Sequence, residues 1–384
     1  MKIYLDNAAT TPLNKEVFQA MEPYLFENFG NPSSSHYYGR QARIAIEDSR
    51  NTIAQILNTS ADHIIFTSGG TEADNTAILS AIRSNNIKLV ITSRFEHHAV
   101  LNTLNALQQR GEIQLIYLNH DARGNLSLTH LDQLLAANQR ALVSIMHGNN
   151  ELGNLNDIHQ IAACCRNYDA VFHSDTVQTM GHSTFDTNIL EADFLVGSAH
   201  KFHGPKGVGF LYKRSDDPII PFINGGSQET GQRSGTENVA GIVGLAKALE
   251  LARNHHGDNF KHLARLKSRM IAKLQAEVPD VVFNGNTLDP DLSLNSILSI
   301  SLPNPEGGIS ILNYLDRYNI CASGGSACSS HLTSHVLQAL GTNFRGNTLR
   351  FSFSHCNTPE EIDYTVCKLS ALFNPEYVTE LVCV

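Results

Sequence analysis

The sequence predicts an α/β protein with one large, mostly parallel sheet and a smaller α+β unit behind it. Three features carry that expectation. Short apolar runs alternate with helix-length stretches from about residue 63 to 212, the pattern of strands joined by crossover helices. After about residue 256 the order changes to strands and helices without that alternation. The 384 residues also exceed the roughly 250 to 300 at which a single core stops growing. We expect a large domain over 15–255, and a small domain formed by 1–14 together with 256–384.

The first dozen residues are rich in turn formers and lead to a helix over about 15–26, ended by Phe29-Gly-Asn-Pro-Ser33. A second helix covers roughly 37–57. His63-Ile-Ile-Phe-Thr67 is a strand that runs into Ser68-Gly-Gly-Thr71 and a further helix. Strands at 89–92, 114–117 and 141–146 alternate with helices after His97 and near 128–137. Ala170-Val-Phe-His-Ser-Asp175 and Asp193-Phe-Leu-Val-Gly197 are short buried strands, each followed by an ionisable residue. Beyond Tyr212 come glycine-rich loops, Asn224-Gly-Gly-Ser227 and Gly231-Gln-Arg-Ser-Gly-Thr236, and then a helical stretch over about 239–278. In the last third we expect strands at 281–283, 296–301 and 349–353, and a helix near 309–318. The final helix opens at Thr358-Pro-Glu-Glu361, a cap residue followed by proline at the first helical position.

Composition narrows the function classes. There are 28 basic and 37 acidic residues, a formal charge of −9, and no lysine-arginine cluster, so no nucleic-acid partner is expected. No apolar run approaches the ~18 residues of a membrane span, and the first residues lack the apolar core of a signal peptide; the expectation is a cytoplasmic protein with no membrane association. The 7 cysteines, an odd number with no C-x-x-C pair, argue against a disulfide framework or zinc site, and no metal is expected.

Chemistry concentrates at strand ends, where parallel α/β sheets place their sites. Lys201, in Ser198-Ala-His-Lys201, is held between a buried strand and a glycine-rich turn, a setting that lowers an amine's pKa and allows a Schiff base. Asp175 ends the preceding strand. A lysine and a carboxylate so placed are what pyridoxal 5'-phosphate requires, one for its carbonyl carbon and one for its pyridine nitrogen. Ser68-Gly-Gly-Thr71 at a helix start is an anion cradle suited to a phosphate monoester, with Gly70 and Thr71 as its ligands; it lacks the G-K-[ST] of a nucleotide P-loop. His97 and Asn150 lie on loops at two further strand ends. Cys328, in Ala322-Ser-Gly-Gly-Ser-Ala-Cys-Ser-Ser330, has no bulky neighbours to bury it, which makes it the best candidate for an accessible nucleophilic thiol.

The motifs Tyr4-Leu-Asp-Asn-Ala-Ala-Thr-Thr-Pro12, His173-Ser-Asp-Thr-Val-Gln178, Ser198-Ala-His-Lys201, Arg233-Ser-Gly-Thr236, Gly324-Gly-Ser-Ala-Cys328 and Leu349-Arg-Phe351 together resemble group I cysteine desulfurases. These are pyridoxal-phosphate enzymes of fold type I in the class V aminotransferase family. The resemblance covers nearly the whole chain. It implies that Lys201 carries the cofactor and shuttles a proton, that His97 stacks on the pyridine ring and can transfer protons, and that Gln178 meets its phenolic oxygen. It further implies Ser198 and His200 at the phosphate, joined by Thr236 from the neighbouring subunit of a homodimer. Arg350 would pair with the substrate carboxylate, with Asn31 near the substrate and Asn150 helping to hold the substrate or the cofactor. The implied reaction removes sulfur from L-cysteine, giving L-alanine and a persulfide on Cys328 for an acceptor protein such as an iron–sulfur scaffold. A selenocysteine lyase, another C–S lyase or an aminotransferase of the same fold remains the alternative.

Overall fold

The computed structural model describes residues 2–138, 140–214, 219–324, 334–341 and 347–373. Its strands are Ile3–Tyr4 (β1), Ile64–Thr67 (β2), Leu89–Thr92 (β3), Gln114–Tyr117 (β4), Ala141–Ser144 (β5), Val171–Ser174 (β6), Phe194–Ser198 (β7), Gly209–Lys213 (β8), Val282–Phe283 (β9), Ile297–Leu302 (β10), Ile320–Cys321 (β11) and Asn347–Ser352 (β12). Between them lie the helices Lys15–Phe26 (α1), Tyr37–Leu57 (α2), Gly70–Ser84 (α3), His98–Gln109 (α4), Leu128–Ala137 (α5), Ile158–Asn167 (α6), Val239–Asn254 (α7), His256–Glu277 (α8), Ile311–Arg317 (α9), His335–Ala339 (α10) and Pro359–Ala371 (α11).

Seven strands form the large sheet in the order β2-β8-β7-β6-β5-β3-β4. The pairs β3–β4, β3–β5, β5–β6 and β6–β7 are parallel, and β8 alone runs against both its neighbours. The strands β2, β3, β5, β6 and β7 therefore end on the same edge. Every residue of β2, β3 and β5 is buried, as expected of short apolar runs covered by helices on both faces. The mostly parallel sheet expected from the sequence is present. The antiparallel β8 and the helix α6 lay outside that expectation, and the long helical stretch is two helices, α7 and α8, that meet at His255.

A second sheet, β12-β10-β9, is antiparallel and has its own apolar core, built from Leu266, Met270, Leu298, Ile300, Phe351 and Leu369 among others. Ile3 and Leu5 belong to that core although they open the chain. β1 pairs in parallel with β11, and Asp6 bridges to Ser352 at the end of β12. From there the N-terminal segment crosses to the large sheet, where the Thr11 N–H donates to the His200 carbonyl at 2.9 Å. This crossing brings the two cores to one site. α11 begins with a full capping box, the Thr358 hydroxyl accepting from the Glu361 N–H while the Glu361 carboxylate accepts from the Thr358 N–H.

Candidate active site

The turn after β7 is a single turn of 3-10 helix over Ala199–Lys201, short enough to leave the lysine at the strand end. Lys201 Nζ donates to the carbonyls of Ala8 at 2.5 Å and Ala9 at 3.0 Å, both on the crossing N-terminal segment. Gln178 Nε2 donates to the same Ala8 carbonyl at 3.0 Å. Lys201 and Gln178, from different strand ends, thus converge on one stretch of backbone 170 or more residues away in sequence.

Asp175 follows β6 directly and is buried, its Oδ1 accepting from the Val177 N–H at 2.9 Å. Burial raises the pKa of its carboxyl, and His97, the Val177 N–H and Lys201 oppose that rise. A buried carboxylate in this state is stabilised by any cation brought against it. His97 is the N-cap of α4, and its Nδ1 accepts from the Ala99 N–H at 3.1 Å, which leaves the ring proton on Nε2. Burial lowers its pKa against the pull of Asp175, so the imidazole is neutral. His200 is pushed down to about 4 by burial, with Lys201 and Lys206 acting in the same direction, and its Nδ1 lies 3.1 Å from the Thr10 hydroxyl.

The cradle lies at the start of α3. A Cβ on Gly70 would sit 2.6 Å from Val177 Cγ2, so only glycine lets the helix start approach the segment after Asp175. Thr71 is exposed and Ser198 is buried beside Gly69. Glu72, in the first turn, accepts from the Ser68 N–H at 2.9 Å and from Arg233 Nε at 2.9 Å, and against the upward push of burial these partners hold its carboxyl below the usual range. No local spacing signals a pair separated by 161 residues.

Arg350 is almost wholly buried on β12. Its Nη1 donates to the Asn150 carbonyl and its Nη2 to Asp6 Oδ1, both at 2.8 Å, while its buried Nε has no hydrogen-bond partner. An unsatisfied buried donor costs about 1–3 kcal/mol, a cost that an incoming carboxylate would remove. Asn150 therefore meets Arg350 through its backbone. Asn31 is exposed and bonds within its own loop, its Oδ1 accepting from the Ser33 N–H at 2.9 Å; no contact ties it to Lys201 or Arg350. Thr236 is exposed on its loop. Cys328 lies outside the described residues, between Ser323, which exchanges backbone hydrogen bonds with Arg350, and Ser334, whose hydroxyl donates to Glu151.

These residues fit pyridoxal phosphate: a lysine amine, a buried carboxylate that favours a cationic partner, a neutral imidazole and a helix-start cradle that only glycine permits. Fold and site together define a cofactor-dependent enzyme of the parallel α/β class.

The sequence profile of the aminotransferase class-V family matches residues 3–365. Over 371 residues the chain is 43% identical to the cysteine desulfurase IscS of Dictyoglomus turgidum, covering 95% of this chain and 93% of that protein. A NifS-like protein of known structure superposes with a TM-score of 0.88 at 36% identity, over 96% of this chain and 98% of the other. The structure of SspA in complex with cysteine superposes with a TM-score of 0.78 at 32% identity, over 92% and 99% of the two chains. The chain belongs to the aminotransferase class-V family and, within it, to the cysteine desulfurases. Among the described residues, no helix is long and apolar enough to cross a membrane.

Proposed function

We propose that this enzyme takes sulfur from L-cysteine, releases L-alanine and holds the sulfur as a persulfide on Cys328 for a protein acceptor, an iron–sulfur scaffold being one such partner. The observation that carries the proposal is the convergence of Lys201, Asp175 and His97 from three strand ends onto one electrostatically linked group. The SspA structure that resembles this chain was determined with cysteine, which supports the choice of substrate.

Pyridoxal phosphate, when bound, supplies an electron sink for the pair left at the substrate Cα when its proton is removed. Lys201 would bind its carbonyl carbon and Asp175 its pyridine nitrogen. Gly70, Thr71, Ser198 and His200 would hold its phosphate, with Gln178 at the phenolic oxygen and His97 against the ring. Lys201 Nζ would be the base that moves the proton of the substrate Cα. His97 can donate a proton only from Nε2, because Nδ1 is engaged by the Ala99 N–H. Arg350 would receive the substrate carboxylate, with Asn31 near the substrate and Asn150 beside the substrate or the cofactor. The Cys328 thiolate attacks the substrate sulfur; an S–S bond forms as the C–S bond breaks, and the carbon skeleton keeps that electron pair and takes up a proton.

The same proposal makes the enzyme a cytoplasmic homodimer in which Thr236 reaches the phosphate of the partner's cofactor. It also assigns the two apolar cores to separate domains, 15–255 and 1–14 with 256–384.

The test is to supply the cofactor-loaded protein with L-cysteine and follow alanine and, with a reductant present, sulfide. Both should appear, and Cys328→Ala should stop both. A Cys328→Ala variant as active as the parent would leave a thiol-independent C–S lyase. Amino-group transfer to a keto acid would instead identify an aminotransferase.

A further inference from the structure

Asp6 is named by no part of the chemistry above, yet its carboxylate stands where the parts of the arginine side meet. A single oxygen, Oδ1, accepts from Arg350 Nη2 at 2.8 Å and from the Ser323 hydroxyl at 2.7 Å. The backbone holds that oxygen in place, because Asp6 bridges Ser352 at the end of β12 and Ser323 bridges Arg350 along the same edge of that strand, the one opposite β10. Two residues further along, the same N-terminal segment presents the Ala8 carbonyl to Lys201.

An acidic residue against a substrate-binding arginine can act in two opposite ways. It can shield the cation, so that the substrate must displace it, or it can hold the guanidinium so that another edge faces the substrate. A shielding carboxylate would take the fork in bidentate fashion through Nε and one Nη, the strongest arrangement open to this pair. Asp6 does not: only Oδ1 touches Arg350, only Nη2 is engaged, and Nε remains buried and without a partner. The Asn150 carbonyl fixes Nη1 at 2.8 Å, so the guanidinium plane is held at both terminal nitrogens with Nε left over.

We propose that Asp6 is a positioning residue that orients Arg350 for the α-carboxylate of the substrate, leaving the Nε edge to receive it. The inference rests on the assignment of Arg350 made under Proposed function. It predicts that Asp6 governs recognition of the carboxylate and not the chemistry at the sulfur.

The experiment compares the cofactor-loaded parent with Asp6→Ala, Asp6→Asn and Arg350→Ala. Each is titrated with L-cysteine and with cysteamine, which has the same amine and thiol but no carboxylate, by the change in visible absorbance of the bound cofactor. Steady-state kcat and KM for L-cysteine are measured alongside. Arg350→Ala should weaken L-cysteine binding and leave cysteamine unchanged. If it binds L-cysteine as the parent does, the assignment of Arg350 is wrong and the role of Asp6 goes with it.

Given the expected Arg350 result, Asp6→Ala should raise KM for L-cysteine about tenfold with kcat within about twofold, the loss of one hydrogen bond to a charged group. Asp6→Asn keeps an oxygen acceptor and should fall between parent and Asp6→Ala; it also serves if Asp6→Ala fails to fold. Cysteamine binding should be the same in all of them. An unchanged or lowered KM in Asp6→Ala would show a shield or a bystander, and equal weakening of L-cysteine and cysteamine would show a general structural role. Either result overturns the proposal.

Discussion

Lys201 and Asp175 stand at the ends of neighbouring strands of one sheet, whereas Arg350 comes from a second sheet with a separate core. On the lysine side, the register of β6 against β7 sets the spacing between the carboxylate and the amine, and burial of the strands makes that register costly to shift. On the arginine side the site is closed by side-chain and backbone contacts that span the chain: Asp6 to Arg350 across 344 residues, and Arg350 to Asn150 across 200. On the proposed assignments, chemistry on the first side is built into the sheet, and recognition on the second depends on how the N-terminal segment is threaded between the cores.

Substitutions should separate the two sides. The largest effect is expected of Lys201→Ala, which removes the amine proposed to bind the cofactor and move the proton: kcat should fall on the order of a thousandfold, whereas Arg350→Ala should act mainly on KM. Equal losses of kcat in the two variants would erase the distinction.

Gly70→Ala tests the lysine side without touching a polar group. The added methyl has Val177 Cγ2 at 2.6 Å, and such overpacking costs about 1–3 kcal/mol. We expect weaker cofactor retention on dialysis and a lower melting temperature; full retention would mean that the helix start can move aside without loss.

A third measurement addresses the junction of the two regions, where the His203 and His355 rings lie 4.4 Å apart. Burial pushes His203 down to about 4, with His355 adding to the effect, and burial likewise lowers His355 and His182. Their unfolded pKa is about 6.5, so between that pH and about 4 the unfolded chain binds protons that the folded one refuses. Stability should therefore be full above pH ~6.5 and fall progressively toward pH 4. The midpoint of urea unfolding across that range measures it, and His203→Gln should flatten the slope. An unaltered slope would place the acid sensitivity elsewhere.

The smallest effect belongs to Thr358→Ala, which breaks the capping box of α11 in the small core and should cost about 1 kcal/mol. If the two cores unfold separately, calorimetry should show only one of two transitions moving; a single transition moving as a whole would join the cores into one cooperative unit.

Most of the lysine side could be read from the sequence, because each of its signals is local. The strands before Asp175 and Lys201 are short, largely buried runs of four and five residues with apolar starts, and the cradle is a glycine pair at a helix start. Thr358-Pro-Glu-Glu361 announced the start of α11 for the same reason, since a cap and its helix are neighbours in the chain. The antiparallel direction of β8 is not legible in the sequence, because strand direction leaves no mark on a short apolar run.

The sequence by itself determined the kinds of residue at the candidate site and the loops that carry most of them, since periodicity, turn chemistry and motif order act over a few residues. Only the tertiary structure decided that the Ala8 carbonyl faces Lys201, that Glu72 holds Arg233, and that one oxygen of Asp6 joins Arg350 to Ser323. Those pairs form because two cores pack against one N-terminal segment, and partners so far apart in the chain leave no pattern within any short stretch of it.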